Sequence, residues 1–363
     1  MNIVLTGGGT AGHVTPNIAL INALQEQSAQ LSYIGSAHGP EAEIISKVSI
    51  PFFAISCGKL RRYFSWQNFI DPFKTLAGIV QAWRHLRKIK PDLVFSKGGF
   101  VAFPVVVAAW LRRIPVIVHE SDFTPGLANK LSFPFASKIC LTFAAAKKHI
   151  RQQDKTMVTG TPIRPTLFLG DKAQGLSLCG FDGKLPVLMV MGGSLGSQTI
   201  NEVLRACLPD LISAFSIIHI CGRGNLDDSF DCINYCQFDY VDESLPHLFA
   251  AADMIVTRAG ANALYEILAL KIPNLLIPLP LKASRGDQID NAKYFAKLGV
   301  SRVLFEEDLT KTSFTSAVHL LAQDRQTLKD KLQQINIQSA TPELLMLFKE
   351  FSHDRQKSTK PIY

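Results

Sequence analysis

The sequence contains no apolar run long enough to cross a membrane. The longest run, residues 100–111, contains Pro104 and spans only 12 residues, whereas a membrane-spanning helix needs about 20. The N-terminus enters a strand-like segment directly, without the charged region or the cleavage site of a secretion signal. We therefore expect neither a signal peptide nor a transmembrane helix.

The sequence also lacks the spacings that indicate a metal centre. The 7 cysteines are scattered and odd in number, and the close pair Cys232 and Cys236 has no second pair or histidines to complete a site. An Asp-x-Asp pair, which could hold a divalent cation beside a diphosphate, does not occur in the sequence. We expect reduced thiols, no bound metal and no cofactor.

Negative charge is scarce in the first half of the chain. Residues 1–157 contain 18 Lys and Arg against 8 Asp and Glu, a balance of +10. Residues 158–363 contain 20 against 22, a balance of −2, and the two halves together give the net charge of +8. A basic half predicts an anionic target, which could be phosphates, nucleic acid or an acidic lipid surface.

The chain is long enough for two domains, and its pattern of elements repeats. Short apolar runs alternate with segments of helical spacing, as in parallel sheets that helices cover on both faces. The predicted strands are residues 3–5, 31–34, 52–55, 93–96, 116–119 and 139–142, and then 186–191, 217–220, 238–241, 254–257 and 274–277. We predict two doubly wound α/β domains joined near residues 158–165.

Glycine-rich turns follow three of these strands. They read GGGTAG (7–12), SKGGF (96–100) and GGSLGS (192–197). Such turns bind phosphates because unpaired N–H groups converge there and because glycine lets the backbone approach the ligand closely. Three turns of this kind predict a protein that handles diphosphates.

The first turn matches the G-x-G-x-x-G pattern of dinucleotide-binding domains through Gly7, Gly9 and Gly12. A dinucleotide site also needs an acidic residue for the ribose near the end of the second strand, which here reads YIGSA (33–37). Because this segment contains no carboxylate, we disfavour a redox dinucleotide enzyme.

His13 lies between the first turn and the following helix. It could cap or pack the turn. It could equally act as a general base, because an imidazole titrates close to neutral pH.

Six motifs in order carry a family resemblance. They read GGTAGH (8–13), SKGG (96–99), HE (119–120), GTPIR (160–164), GGSLG (192–196) and RAGA (258–261). Their joint spacing, over residues 2 to about 296, resembles the MurG family of bacterial N-acetylglucosaminyltransferases. The resemblance implies the GT-B fold, in which two Rossmann-like, doubly wound parallel-sheet domains face a cleft.

The resemblance also implies what each domain does. Residues 1–157, joined by a C-terminal helix at about 340–363, would face the acceptor and the membrane, and residues 158–339 would bind the UDP-sugar. The implied reaction is an inverting, metal-independent transfer of N-acetylglucosamine from UDP-N-acetylglucosamine to the 4-hydroxyl of the muramoyl sugar of undecaprenyl-diphosphate-linked lipid I. The product, lipid II, implies a role in peptidoglycan synthesis, cell shape and division at the cytoplasmic face of the cell membrane.

Individual residues acquire expected roles by their positions in the family motifs. His13 is the candidate base, with Glu120 and Asp122 as rivals or assistants. The residues implied to bind the donor are Thr10, Ala11, Gly12, Asp122, Arg164, Ser194, Val241, Ala261, Asn262, Ala263, Leu264, Tyr265, Glu266, Asp287 and Gln288. Those implied to bind the acceptor diphosphate are Gly9, Thr10, Gly12, Gly98 and Gly99.

The sequence departs from the family pattern at two of these positions. Asp122 stands where the family often has an asparagine, and Asp287 where paired glutamines are common. An ionised carboxylate only accepts hydrogen bonds, so both changes put the implied sugar contacts in doubt. Two further roles have simpler alternatives, since Glu120 could brace the turn after its strand and Glu266 could lie on a helix surface.

A basic and aromatic segment follows the third predicted strand. Residues 59–66 read KLRRYFSW, and the residues expected at a membrane are Arg61, Arg62, Phe64, Trp66, Phe69 and Phe73. Aromatic side chains enter the membrane interface, and cations near an acidic leaflet strengthen binding. The alternatives are a partly buried aromatic cluster with a basic rim, and RNA binding, for which no accompanying motif occurs.

Two other functions fit part of this pattern. A UDP-N-acetylglucosamine 2-epimerase shares the GT-B architecture, but it does not explain the basic aromatic segment or the glycine turns of the first half. A non-enzymatic subunit that binds a nucleotide-sugar and recruits a membrane partner would need only one of the two substrate sites. We therefore expect partners of three kinds: UDP-N-acetylglucosamine, lipid I and an anionic membrane surface, and no nucleic acid.

Overall fold

The computed structural model describes residues 1–58, 67–193 and 196–359, and of residues 11, 67–69 and 356–359 it describes the backbone only. The chain forms two compact units. The first contains Met1–Arg164 and the chain from Ser339 onward, and the second contains Pro165–Gln338. The sequence prediction started the second domain at residue 158. Residues 158–164 lie instead with the first unit, because residues 156–158 pair with the strand at 138–141.

The first unit is built on a parallel sheet of seven strands. These are β1 (Asn2–Thr6), β2 (Gln30–Ser36), β3 (Phe52–Ile55), β4 (Leu93–Ser96), β5 (Val116–Glu120), β6 (Lys138–Leu141) and β7 (Thr156–Val158), in the order β3-β2-β1-β4-β5-β6-β7. The strand order reverses between β1 and β4, where Thr6 pairs with Ser96. Open parallel sheets bind ligands outside the carboxyl ends of their strands at such a reversal.

Helices pack on this sheet from both sides. They are α1 (Thr15–Gln25), α2 (Pro40–Ser46), α3 (Gln67–Ile89), α4 (Ala102–Leu111), α5 (Leu127–Ser132) and the C-terminal α12 (Thr341–Thr359). The α1 and α12 helices contact each other and bury Leu20 and Phe348 against Phe95 of β4. The α4 helix contacts α3, α5 and the opposite side of the sheet. Alternating strand residues such as Phe95 and Val94 are both fully buried, as a sheet covered on two faces requires.

The second unit repeats this plan with six parallel strands. These are β8 (Val187–Met191), β9 (Ser216–Ile220), β10 (Tyr235–Phe238), β11 (Met254–Thr257), β12 (Asn274–Leu276) and β13 (Arg302–Val303), in the order β10-β9-β8-β11-β12-β13. Its helices are α6 (Lys172–Cys179), α7 (Gln198–Leu211), α8 (Leu245–Ala251), α9 (Ala261–Ala269), α10 (Asp287–Lys297) and α11 (Lys311–Gln334). The order again reverses next to the first strand, between β8 and β11.

Short 3-10 helices connect several of these elements. They are Ala11–His13, Phe133–Phe135, Ala144–His149, Gln153–Lys155, Pro165–Leu169 and Glu306–Asp308.

The predicted fold class, two Rossmann-like doubly wound domains, is confirmed. The strand predicted at 238–241 lies at Tyr235–Phe238 instead, where Tyr235 pairs with Ile217 of β9. The short edge strands β7 and β13 were not predicted. Within the described residues, no helix combines the length and the apolar character that crossing a bilayer requires.

Candidate active site

The two glycine turns of the first unit pack directly on each other. The first follows β1 and the second follows β4, the two strands at the reversal of strand order. The Gly8 N–H donates to the Gly98 carbonyl oxygen at 3.2 Å. A Cβ atom on Gly99, whose φ is +84°, would lie 2.0 Å from the Gly8 carbonyl oxygen. The structure thus brings together the two turns on which the residues predicted for the acceptor diphosphate lie.

A buried carboxylate that the sequence analysis missed lies beneath the first turn. Glu41, in the first turn of α2, is fully buried and accepts hydrogen bonds from the Gly9 N–H (3.1 Å) and the Ser36 N–H (3.0 Å). Glu41 lies five residues beyond the end of β2, outside the segment 33–37 in which the dinucleotide pattern places an acidic residue. Because the Gly9 N–H donates to Glu41, Gly9 contributes to the turn through its backbone conformation and its lack of a side chain. A Cβ on Gly8 would lie 2.5 Å from the Glu41 carboxyl carbon.

His13 lies half-buried at the end of the 3-10 helix Ala11–His13, and Thr10 and Gly12 beside it are exposed. Its Nδ1 atom lies 3.1 Å from the Lys97 carbonyl oxygen. A carbonyl oxygen only accepts, so Nδ1 carries the proton and the lone pair of a neutral ring belongs to Nε2. This tautomer is the one that a general base acting through Nε2 needs.

The Glu120 carboxylate is occupied by three N–H donors. It is buried at the end of β5 and accepts from the Asp122 N–H (2.9 Å), the Gly126 N–H (3.0 Å) and the Asn129 side-chain amide (2.9 Å). Both of its carboxylate oxygens therefore already accept hydrogen bonds from the protein. The geometry favours the bracing role for Glu120, which holds the loop that carries Asp122.

Behind the second turn lies a buried polar cluster that the sequence motifs did not predict. The Lys97 Nζ atom contacts His119 Nδ1 at 2.8 Å and Thr161 Oγ1 at 2.9 Å, and His119 Nε2 contacts the Gly160 carbonyl oxygen at 2.7 Å. Burial lowers the pKa of Lys97 to about 7, although the charges of Glu120 and Asp122 act in the opposite direction. Burial, and then the Lys97 charge, hold the His119 pKa well below its usual value. Arg164, half-buried, lies three residues beyond this cluster.

In the second unit, the turn after β8 leads into α7. Ser194, the predicted diphosphate ligand on this turn, lies outside the described residues. Ser197 caps α7, and its hydroxyl also accepts from the buried guanidinium of Arg258 at 2.6 Å. Arg258 further donates to the Ile277 carbonyl oxygen at 3.2 Å and pairs with Glu306. Arg258 therefore ties the turn after β8 to the ends of β11, β12 and β13.

The start of α9 lies beside Gln288. Gly260 is the N-cap of this helix, and a Cβ on Gly260 would lie 3.9 Å from the Gln288 side-chain nitrogen, whose partner oxygen accepts from the Leu279 N–H at 3.1 Å. The predicted donor residues of this helix are half-buried at Asn262 and Ala263 and buried at Ala261, Leu264, Tyr265 and Glu266. The alternative of an exposed helix-surface position for Glu266 is wrong, since only 9% of it is exposed.

The remaining predicted donor residues lie at the same edge of the second sheet. Val241 follows β10, and the neighbouring Tyr240 ring stacks with the guanidinium of Arg223 at 4.8 Å. Asp287 begins α10 and lies 3.5 Å from the Arg285 Nε atom. The described members of the predicted donor set in this unit therefore follow the carboxyl ends of β10, β11 and β12. In the part of the chain that the structure describes, no three His, Cys, Asp or Glu side chains are grouped as metal ligands.

An exposed apolar face extends over α3, α4 and α5 of the first unit. We call it the apolar helix face; its exposed residues are Ile70, Phe73, Leu76 and Val80 of α3, Trp110 and Leu111 of α4, and Leu127 and Leu131 of α5. Phe73 is 71% exposed. The residues from Arg61 to Trp66 and the side chain of Phe69, which were also expected at a membrane, lie outside the described residues. The Trp83 ring contacts the Arg87 and Arg112 guanidinium groups at 5.9 and 5.1 Å.

Two family models match the chain. Residues 3–141 match the glycosyltransferase family 28 N-terminal domain, and residues 187–344 match the family 28 C-terminal domain. The chain is therefore a glycosyltransferase. These boundaries fall within the two structural units, apart from residues 339–344 at the start of α12.

Relatives over almost the whole length carry one and the same name. The UDP-N-acetylglucosamine–N-acetylmuramyl-(pentapeptide) pyrophosphoryl-undecaprenol N-acetylglucosamine transferase of Legionella pneumophila (strain Paris) is 54% identical, over 97% of both chains. That of Geobacillus thermodenitrificans (strain NG80-2) is 53% identical, over 95% of this chain and 97% of the relative. The crystal structure of MurG from Acinetobacter baumannii superposes with a TM-score of 0.75 at 25% identity, covering 96% of this chain and all of that one.

The chain belongs to the MurG family. The family resemblance carried by the six sequence motifs is thereby confirmed. Every described motif of the MurG family lies at a carboxyl strand end or directly after one, which is where a parallel sheet places its ligands.

Proposed function

We propose that the protein transfers N-acetylglucosamine from UDP-N-acetylglucosamine to the 4-hydroxyl of the muramoyl sugar of undecaprenyl-diphosphate-linked lipid I, with inversion, to form lipid II. The observation that carries this proposal is the 54% identity over 97% of the chain with relatives named for this transfer. The two doubly wound units support it, since each presents glycine turns at its reversal of strand order. We assign the acceptor to the first unit and the donor mainly to the second.

On the donor side, the diphosphate binds to positive and N–H-rich groups. Arg164, the turn that contains Ser194 and the start of α9 at Ala261 and Asn262 supply a guanidinium and two helix N-termini. Glu266 accepts from the ribose hydroxyls, the backbone of Val241 contacts the uracil, and Gln288 binds the sugar hydroxyls. These groups stabilise the charge that UDP gains as it departs. We assign no part of this task to a metal ion.

On the acceptor side, the turns at Gly9–Gly12 and Gly98–Gly99 bind the polyprenyl diphosphate. The 4-hydroxyl attacks the anomeric carbon, the bond from that carbon to the UDP oxygen breaks, and the hydroxyl proton passes to Nε2 of His13. Asp122 accepts a hydrogen bond from a sugar hydroxyl, while Glu120 holds its loop in place. A general base of this kind contributes about 10²–10⁴-fold to the rate.

We further propose that the first unit docks on the cytoplasmic face of the cell membrane. The apolar helix face supports this proposal, because exposed apolar patches mark interaction surfaces. The acceptor that we assign to the first unit is also linked to a lipid. The basic balance of residues 1–157, +10, favours an acidic leaflet. Peptidoglycan synthesis, and through it cell shape and division, follows from the product.

Transfer of labelled N-acetylglucosamine to a lipid I analogue, with a chelator present, tests the proposal. We expect lipid II at an undiminished rate. The epimerase alternative is not favoured, because the near full-length relatives are named as transferases. An epimerase would convert UDP-N-acetylglucosamine without an acceptor, and a binding subunit would bind UDP and form no product in either assay.

A further inference from the structure

A lysine lies fully buried behind the second glycine turn. Lys97 follows the last residue of β4, and its side-chain nitrogen has a histidine and a threonine as its hydrogen-bond partners. Burying an amino group costs free energy that a shorter or apolar side chain would not incur. The Lys97 carbonyl oxygen contacts the candidate base His13, whereas the transfer proposed above gives no task to the Lys97 side chain.

The hydrogen bonds of this cluster have fixed directions. His119 Nε2 faces the Gly160 carbonyl oxygen, so it carries the ring proton and donates, and Nδ1 accepts from Lys97. Lys97 also donates to the Thr161 hydroxyl oxygen. Both the ammonium and the neutral amine have at least two N–H groups. The two bonds from Lys97 therefore form in either protonation state.

The segment that this cluster holds is residues 159–164, through which the chain leaves the first unit. Gly160 is held by His119, and Thr161 is held by Lys97 on one side. On the other side, the Ala340 N–H donates to the Thr161 carbonyl oxygen at 3.0 Å. The Ile163 N–H donates to the Ser339 hydroxyl at 3.0 Å, and the next residue is Arg164.

We propose that the Lys97 side chain is a positioning residue for the nucleotide-sugar: it anchors residues 160 and 161 to the sheet and so sets the place of Arg164. The inference rests on the proposed function, in which Arg164 binds the donor diphosphate. The same residue acts on the acceptor side through its backbone carbonyl, which orients His13. A substitution at position 97 leaves that carbonyl in place. Replacing the Lys97 side chain should therefore weaken binding of the donor far more than it impairs the action of His13 as the base.

Lys97→Met tests the inference, because methionine keeps the length of the side chain and removes the donor nitrogen. We expect the KM for UDP-N-acetylglucosamine and the Kd for UDP to rise about 10-fold, as for the loss of one charge-assisted hydrogen bond, while kcat stays within about 3-fold. A variant that was only destabilised would lose active protein and hence kcat, with its KM unchanged. Hydrogen exchange of the amides within 159–164, where only Pro162 has no N–H, should become faster in Lys97→Met.

Thr161→Val provides an independent variant that removes the acceptor instead of the donor. If both substitutions act by removing the hydrogen bond between Lys97 and Thr161, the double variant Lys97→Met, Thr161→Val should raise the KM for the donor no more than either substitution alone. Thr161→Ser keeps the hydroxyl and should restore the wild-type KM. Ser132→Ala is the matched control, since among the described residues this buried hydroxyl donates within α5, to the Ala128 carbonyl oxygen, and its loss should leave every constant unchanged.

A Lys97→Met enzyme with wild-type donor KM and wild-type exchange at 159–164 would overturn the inference. Fully additive effects of the two substitutions would overturn it as well. Failure of the proposed function gives a different result, namely no transfer by the wild-type protein to the lipid I analogue. In that event the UDP affinity and the amide exchange of the variants still decide the role of Lys97.

Discussion

The Nδ1 atom of His13 lies 3.1 Å from the carbonyl oxygen of Lys97, and this contact joins the turn after β1 to the turn after β4. The Gly8 N–H joins the same two turns through the Gly98 carbonyl oxygen. Since β1 and β4 flank the reversal of strand order, the candidate base and both turns proposed for the acceptor diphosphate are held by contacts to the carbonyl oxygens of Lys97 and Gly98. Two of the following predictions examine this arrangement.

Replacing His13 should remove the base without disturbing the donor. His13→Ala is expected to lower kcat by about 10²–10⁴-fold and to leave UDP affinity near the wild-type value, because His13 lies in the first unit and the donor is assigned mainly to the second. Steady-state kinetics and calorimetric UDP titration measure the two quantities.

His13→Asn separates the base from the tether in that experiment. An asparagine amide can donate to the Lys97 carbonyl oxygen as Nδ1 does, but it has no basic nitrogen. The His13→Asn enzyme should therefore turn over as slowly as the His13→Ala enzyme. Should it recover most of the turnover, His13 would serve to connect the two turns, and Asp122 would become the candidate base.

Gly99→Ala should disrupt the two packed turns. The new methyl group would lie 2.0 Å from the Gly8 carbonyl oxygen, and φ at +84° already disfavours any side chain. We expect turnover with the lipid I analogue to fall at least about 100-fold, since misplacing reacting groups by about 1 Å has effects of this size. UDP affinity should change little.

Gly180→Ala is the matched control for Gly99→Ala. Gly180 ends α6 with φ at +69°, and a Cβ there meets nothing within 4 Å. Gly180→Ala therefore introduces backbone strain of the same kind as Gly99→Ala, but no steric clash. Gly180→Ala should lower the free energy of unfolding by about 1 kcal/mol and leave turnover unchanged. Equal losses of turnover in the two variants would show that strain, and not the contact between the turns, accounts for the effect.

Most of the fold was predictable because its strands are short apolar runs between glycine turns. The predicted bounds 52–55, 93–96 and 254–257 agree with β3, β4 and β11. The edge strands β7 and β13 escaped notice because neither is a continuous apolar run: β7 reads TMV and β13 only RV. The β10 strand was predicted too far along the chain, since the polar Gln237 interrupts the apolar run of this half-buried edge strand.

The candidate site was less predictable where tertiary contacts decide it. The glycine turns and His13 are local patterns, so the sequence identifies them. Glu41 reaches the first turn from a different helix, and Lys97 meets Thr161 across 64 positions of the chain. Neither contact follows from spacing, because each depends on which strand ends are neighbours in the sheet. The contacts of Arg258 with Ser197 and with the Ile277 carbonyl oxygen are not predictable from spacing for the same reason.

The apolar helix face should bind anionic vesicles. Phe73→Ser with Leu76→Ser removes two large exposed apolar side chains on one side of α3. We expect pelleting with phosphatidylglycerol-containing liposomes to fall several-fold, since each fully inserted side chain of this size contributes about 1.5–3 kcal/mol. Transfer to a short-chain, water-soluble acceptor should remain normal.

Leu320→Ser controls for a general loss of surface hydrophobicity. Leu320 is 51% exposed on α11 of the second unit and does not belong to the apolar helix face. The Leu320→Ser protein should pellet with liposomes to the same extent as the wild type. Equal pelleting of all three proteins, at low and at high salt, would remove the apolar helix face as the membrane contact.

The stability of the first unit should depend on pH through Lys97. Burial lowers the Lys97 pKa from 10.5 to about 7. Between these values the unfolded chain holds a proton that the folded chain has released, so the free energy of unfolding rises with pH over this interval, and below pH 7 both states are protonated and the slope disappears. The Lys97→Met variant lacks this contribution.

Urea unfolding of the wild type and Lys97→Met at several pH values from 6 to 9.5 measures the effect. The difference in free energy between the two proteins should be constant below about pH 7 and should then shift in favour of the wild type, by at most about 1.4 kcal/mol per pH unit. Lys349→Met, on the exposed side of α12, is the control for removing a surface lysine. A Lys97→Met difference that is flat across this range would mean that the buried amine keeps its proton, held by the carboxylates of Glu120 and Asp122, so that the cluster contains an ammonium group at every pH at which the enzyme works.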